Sequence, residues 1–213
     1  MRVQEIWRYP VKSMAGERLS TAQIGPAGVA GDRMIQVRSE QGRLYTARTR
    51  PKLLRHRGTL TPEGDALVDG LPWQSDEVRQ IVESAAGAGA RLVQGPANAR
   101  FDILPLLVAT DGMLQAVGVD TRRFRPNLVI SGVPGLAERE WEGAALRIGP
   151  VLIGMEDLRG RCITTTYDPD TGAQDVNVLR RIQREFQGVL GLNSYVIEPG
   201  RVSEGDEVEL IQP

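Results

Sequence analysis

The chain has 213 residues, and its 26 Lys and Arg against 27 Asp and Glu leave a formal net charge of -1, which provides no global basic field for nucleic acid. A single cysteine excludes an intrachain disulfide and with it a disulfide-stapled secreted scaffold, and no apolar run approaches the length of a membrane span. The length suits one compact domain or two small, closely packed ones, and an amino terminus without an apolar h-region sets the expected location as the cytoplasm.

In chain order, Val3 to Tyr9 has a strand pattern that breaks at Pro10. Lys12 and Ser13 follow at the bend, where a point charge and a hydroxyl could both donate to a phosphate, although a solvated lysine beside a turn serine is the commoner outcome. Leu19 to Ile24 alternate, Gly25 to Asp32 are turn residues, and Arg33-Met34-Ile35-Gln36-Val37 reads as a strand beginning on a charge. Glu40-Gln41-Gly42 turns it back into Leu44-Tyr45-Thr46-Ala47-Arg48, and a further hairpin is expected between Thr59 and Leu71. Short strands at this spacing indicate a small β-barrel or sandwich. Whether Arg33 and Arg48 are exposed strand charges or share one basic pocket is open in the linear sequence. Ser75 before Asp76 and Glu77 predicts a helix start, Gly87 to Ala90 its end, and the boundary between residues 1–74 and 75–213 is placed there.

The second half resumes with Arg91-Leu92-Val93, an apolar run Leu106 to Ala109, and a short helix over Met113 to Val117. Arg122, Arg123 and Arg125 then enter the buried-strand run Leu128-Val129-Ile130, and Arg125 is the best candidate for a bidentate anion contact. A hairpin forms around Gly149-Pro150, and Val178 to Leu190 recur at helical spacing with an arginine-rich outer face. Tyr195 to Ile197 and Val208 to Leu210 close the chain as strands. The fold class expected is mainly β with α, with few helices.

The segment Arg159 to Gly172 concentrates the chemistry. It sets Cys162 between Arg159 and Arg161, follows it with the β-branched run Ile163 to Tyr167, and closes on an Asp-Pro-Asp-Thr-Gly turn. The run predicts a strand, so Cys162 is expected where a loop enters it. Flanking cations lower a thiol pKa and make a better nucleophile or soft-metal ligand, while a small buried hydrophobe is the commoner fate of a lone cysteine. His56 lies in an Arg-His-Arg run and is read as a surface residue, so no Ser-His-Asp or Cys-His pair is indicated. There is no P-loop, no Gly-x-Gly-x-x-Gly and no zinc spacing.

Taken together, Tyr9-Pro10-Val11-Lys12-Ser13, Gly31-Asp32-Arg33, Thr46-Ala47-Arg48, Phe124-Arg125-Pro126-Asn127 and Arg161-Cys162 with Asp168-Pro169-Asp170-Thr171-Gly172 resemble the MOSC family. They are most similar to the branch with an N-terminal β-barrel region that includes the mitochondrial amidoxime-reducing components, and the resemblance spans nearly the whole chain. It implies a MOSC-type β-barrel core with an N-terminal β-barrel lobe, and a molybdenum–molybdopterin cofactor. On that resemblance Cys162 ligates molybdenum. Lys12, Ser13, Arg33 and Arg125 hold the pterin and its phosphate, Arg48, Asn127 and Arg161 complete the cofactor site, and Asp102 lies near the open metal face as a catalytic residue.

The implied activity is reduction of a small N-hydroxylated or N-oxide compound by oxygen-atom transfer, with a separate flavin or iron–sulfur protein as electron donor. Pyridoxal phosphate binding is a family-level association, and neither Lys12 nor Lys52 has a context marking a Schiff-base lysine. Departures from the family pattern are Ile103 and Leu104 where hydroxyl residues are frequent, Gly160 where a polar residue is, and no ferredoxin-like domain after Pro213. The rival readings are a non-catalytic cofactor carrier, a sulfur carrier using a Cys162 persulfide, and an inert buried cysteine.

Overall fold

The computed structural model describes residues 1–96 and 100–212. In the first half, turns cut the apolar runs into short strands: β1 (Arg2–Arg8), β2 (Glu17–Leu19), β3 (Thr21–Gly25), β4 (Gly28–Val29), β5 (Ile35–Arg38) and β6 (Leu44–Tyr45). β7 (Gly58–Leu60), β8 (Ala66–Val68) and β9 (Leu71–Pro72) form a three-stranded meander. Helix α1 (Asp76–Ala86) starts where Ser75 Oγ accepts the Val78 N–H at 3.3 Å, with Asp76 and Glu77 in the first turn facing the positive end of the helix dipole. β10 (Arg91–Gln94) runs antiparallel to β5, and the buried face of α1, Val78, Val82 and Ala86, packs with Val11, Val37 and Val68 in one core.

The second half supplies β11 (Leu106–Thr110), α2 (Asp111–Val117), β12 (Leu128–Ser131), β13 (Ala145–Ile148) and β14 (Val151–Gly160). α3 (Val176–Phe186), β15 (Val189–Glu198), β16 (Gly200–Ser203) and β17 (Glu209–Ile211) complete it. The main sheet has eight strands in the order β17-β13-β14-β15-β11-β12-β1-β2. β11 and β12 are parallel, joined by a crossover through α2, and their neighbours in the sheet pair antiparallel. β11 is buried along its whole length, as the two covered faces of a central parallel strand require. β1 joins this sheet by pairing with β12, with Ile6 opposite Leu128, so the amino-terminal strand is built into the core of the second half. The chain is thus mainly β with three α-helices among the described residues, an α+β arrangement with one mixed sheet. No helix among these residues is long and apolar enough to cross a membrane.

Three local expectations are overturned. Ile163 to Thr166 is a 3-10 helix and not a strand, because Thr165 Oγ1 donates to the Cys162 carbonyl at 2.9 Å and Thr166 Oγ1 to the Ile163 carbonyl at 2.7 Å, closing tight turns that β propensity alone would not form. Arg33 does not begin a strand: it stands in a turn at φ 51°, and β5 begins two residues later. Helix α3 stops at Phe186. Gln187 adopts a left-handed φ of 58°, the Gly188 N–H returns to the Ile182 carbonyl at 3.0 Å, and Val189 and Leu190 pass into β15.

Candidate functional site

Cys162 follows the last residue pair of β14 and β15, Gly160 opposite Val189, with the Arg161 N–H anchored to the Gly188 carbonyl at 2.8 Å. It therefore lies where a strand leaves the sheet, not where a loop enters one. The 3-10 turn behind it brings Thr164 Oγ1 to 3.1 Å from Sγ. Burial pushes the thiol pKa up, but the side-chain and backbone hydrogen bonds of Thr164 together with the charge of Arg48 outweigh it, and the net shift is downward. The leading cation acting on the sulfur is thus Arg48, from the first half of the chain, ahead of its sequence neighbours Arg159 and Arg161.

Those neighbours have other partners. Arg159 donates to Asn193 Oδ1 on β15 at 3.0 Å. Arg161 lies over the Phe124 ring at 5.2 Å and donates to the carbonyls of Phe124 and Leu190, and burial lowers its pKa to about 9. Gly191, at φ 70°, leaves the room this guanidinium needs: a Cβ there would come within 3.0 Å of Arg161 Nη2 and 2.8 Å of the Val108 carbonyl.

Arg125 precedes β12 in a left-handed turn at φ 57°, so the turn and not the strand aims it. Its guanidinium lies 4.3 Å from the centroid of the Tyr9 ring, its Nη2 is buried without a partner, and burial depresses its pKa to about 10. Arg33 approaches the same ring at 5.0 Å and is paired with the buried Asp32. Asp32 accepts the Tyr9 N–H at 2.6 Å and Asn127 Nδ2 at 3.1 Å, while Asn127 Oδ1 accepts the Leu107 N–H at 3.2 Å. This network ties β1, β11 and the approach to β12 together beneath the site and fixes Arg33.

Lys12 is 7% exposed, and its Nζ reaches Asp102 Oδ1 at 2.7 Å and the Arg100 carbonyl at 3.0 Å. Asp102 also meets Arg48 at 3.0 Å and Arg159 at 3.9 Å. Burial alone would raise its pKa, but the hydrogen bond and charge of Lys12, then Arg48 and Arg159, hold its carboxyl below the usual range, so it is ionised at neutral pH.

One cleft of about 880 Å³, its open mouth included, gathers these groups. Lys12, Ser13, Arg33 and Arg48 line it from the first half, and Asp102, Arg125, Asn127, Arg161 and Cys162 from the second. Arg33, Arg48 and Arg125 thus share one basic pocket, whose single lining carboxylate among the described residues is Asp102. Leu104 also lines it, whereas Ile103 is 56% exposed. Thr164 and Asn193 were missed as site residues by the sequence reading. The threonine two residues after the thiol was a usable signal, but the asparagine arrives from a strand far along the chain and left none. His56 is outside the cleft, paired with Asp69 at 2.7 Å. Among the described residues no group of three or more His, Cys, Asp and Glu side chains could hold a metal alone.

Residues 1–99 match the model of the MOSC N-terminal beta barrel domain, and residues 107–209 match that of the MOSC domain. The chain belongs to the MOSC family. Among its relatives it is 29% identical to mitochondrial amidoxime reducing component 2 of Macaca fascicularis, over 81% of this chain and 68% of that one. It is 27% identical to human mitochondrial amidoxime-reducing component 1, over 98% and 82%. A shorter match, 34% identical over 40% of this chain and 11% of the other, joins this MOSC protein to molybdenum cofactor sulfurase 2 of Culex quinquefasciatus. The YuaD protein from Bacillus subtilis shares the fold, with a TM-score of 0.55 at 14% identity over 100% of this chain and 96% of that one.

Proposed function

We propose that this MOSC protein binds the molybdenum cofactor in the thiol cleft, with Cys162 as the protein ligand to the metal, and reduces small N-hydroxylated or N-oxide compounds by two-electron oxygen-atom transfer. The observation that carries this reading is the meeting of the only thiol with a lining whose charged groups, Asp102 apart, are all cations among the described residues, and in which Arg125 and Arg161 each keep a buried nitrogen without a partner. A buried, unpaired guanidinium nitrogen is costly, and an anion entering the cleft would relieve it. A thiol with a lowered pKa suits a soft metal, and because no group of three or more His, Cys, Asp and Glu side chains among the described residues could hold one, a cofactor that brings its own ligands suits the cleft. The donor set therefore fits the group. The names of the relatives support the reading in two parts, amidoxime reduction and the molybdenum cofactor.

In this reading Lys12, Ser13, Arg33 and Arg125 hold the phosphate and pterin, Asn127 and Asp32 keep Arg33 in place, and Arg161 braces the segment beneath Cys162. When bound, the cofactor supplies the two-electron reduction of the substrate N–O bond. Asp102, ionised among its three cations, acts as a hydrogen-bond acceptor that orients a substrate N–H or O–H and holds Arg48 over the thiol side of the cleft. One cysteine leaves no iron–sulfur ligand set within these 213 residues, and in this reading a separate flavin or iron–sulfur protein delivers the electrons.

The test is metal and pterin analysis after expression in a host that makes the cofactor, for wild type and Cys162→Ala, followed by assay of an amidoxime with a chemical reductant. Near-stoichiometric molybdenum that is lost in the variant, with turnover in the wild type, is expected. Folded wild type without molybdenum or pterin sinks the reading, and cofactor without turnover leaves a carrier. The lowered thiol pKa also favours a second reading, a sulfur carrier, which predicts a persulfide on metal-free Cys162 that reacts readily with alkylating reagents at neutral pH.

A further inference from the structure

A second cleft, of about 1220 Å³ with its open mouth included, lies against the first, and Arg123, Arg125 and Thr164 line both. Its other walls differ in chemistry from the thiol cleft. Trp7 and Tyr9 form an aromatic ledge there, with ring centroids 6.5 Å apart and planes inclined by 17°. Tyr9 is buried while Trp7 is half-buried, and Trp7 Nε1 is pinned to Glu5 Oε2 at 2.7 Å, which holds the indole in the cleft wall. Leu54 and Tyr167 add apolar surface.

The arginines around the cleft are not equivalent. Arg18 is held by Glu204 at 2.7 Å, Arg122 by Asp120 and Asp170 at 2.7 Å each, and Arg123 by Asp168 at 3.0 Å. Arg55 and Arg57 line the cleft on either side of His56, and among the described residues their side chains have no ion pair or hydrogen bond. The stem of Arg55 lies against the Asp168 to Gly172 turn, where a Cβ on Gly172 would come within 2.8 Å of Arg55 Cδ. A half-buried aromatic side chain thus stands in one cavity with two uncommitted guanidiniums.

We propose that this second cleft binds a planar heteroaromatic ring carrying a phosphate, such as a purine or flavin mononucleotide. The ring stacks on Trp7, and the phosphate takes bidentate hydrogen bonds from Arg55 and Arg57. Trp7, Arg55 and Arg57 do not line the thiol cleft, so the inference stands apart from the molybdenum reading.

Isothermal titration calorimetry with AMP and with FMN tests it, on protein from a cofactor-deficient host and on cofactor-loaded protein. Saturable binding of at least one of them to both preparations is expected, with adenosine and inorganic phosphate each about tenfold weaker or worse than AMP. The double variant Arg55→Ala/Arg57→Ala changes only exposed side chains, and it should lose at least about tenfold in affinity with an unchanged melting temperature. No saturation by either nucleotide up to about 5 mM, or wild-type affinity in the double variant, overturns the proposal. A free nucleotide and the pterin of the cofactor share this chemistry: binding to the cofactor-free protein that vanishes on loading would assign the cleft to the pterin and overturn a separate site. A Cys162→Ala protein that lacks molybdenum yet binds nucleotide would uphold both proposals, and nucleotide binding by wild type that never acquires molybdenum would sink the functional reading alone.

Discussion

Replacing Asp32 by alanine removes the acceptor at the centre of the network beneath the thiol cleft. Asp32 is 1% exposed, accepts the Tyr9 N–H at 2.6 Å and Asn127 Nδ2 at 3.1 Å, and is the counter-ion of Arg33. The Tyr9 N–H, left buried and unsatisfied, costs about 1–3 kcal/mol, and the lost charge-assisted bond to Arg33 about 1.5–3 kcal/mol. Asn127 Nδ2 keeps the Trp7 carbonyl at 3.3 Å and adds little. The sum is about 2.5–6 kcal/mol, which brackets the roughly 3–5 kcal/mol typical of breaking a buried pair. Asp32→Asn can still accept from Tyr9 but turns an amide donor toward Asn127 or Arg33, so about half that loss is expected. Urea unfolding followed by tryptophan fluorescence reads this directly. With a slope of about 2 kcal/mol per molar, the alanine variant should move the midpoint down by about 2 M and the asparagine variant by about 1 M. A shift below about 0.5 M for the alanine variant, with an unchanged slope, would refute the reasoning.

Arg48→Ala withdraws the leading cation from Cys162, so in metal-free protein the thiol pKa should rise and alkylation by iodoacetamide at neutral pH should slow about threefold or more. Matching rate profiles from roughly pH 6 to 9 in the two proteins would remove Arg48 from that account. Gly112→Ala places a Cβ 2.3 Å from the carbonyl oxygens of both Val133 and Gly135, which forces α2 off the loop after β12; a loss of about 2 kcal/mol or more is expected in thermal unfolding, and a wild-type melting temperature would contradict it. Burial raises the pKa of Glu138 above its ordinary 4.5, against the Thr110 hydroxyl at 3.1 Å, and Glu138 Oε1 has no partner. The folded state therefore binds this proton more tightly than the unfolded one, and the stability it lends is present below pH 4.5 and lost as pH rises through the folded pKa. Glu138→Gln should accordingly be more stable relative to wild type at pH 8 than at pH 5, and a pH-independent difference between the two would count against this.

At several places where the cause lay within a few residues, the sequence by itself determined the outcome. Ser75 started α1 where its hydroxyl and the following acids required, the runs Leu106 to Ala109 and Leu128 to Ile130 became buried central strands, and Asp168 to Gly172 made its turn through hydrogen bonds to Asp168 Oδ1. The family motifs also marked Lys12, Arg33, Arg125 and Cys162 in advance, and these side chains line one cleft. Only the tertiary structure decided how they meet. β1 crosses into the second-half sheet beside β12, Lys12 and Arg33 line the cleft that holds the thiol, and the charge with the leading effect on Cys162 comes from Arg48, far away in sequence. The threonine hydroxyls after Cys162 overrode strand propensity by bonding back to its own turn, and left-handed backbone at Arg33 and Arg125, held by the Asp32 network and the Tyr9 ring, aimed two guanidiniums that a strand would have pointed elsewhere. Propensity reports the conformation a residue favours among its neighbours, whereas where a charge points depends on contacts that exist only once the sheet has closed.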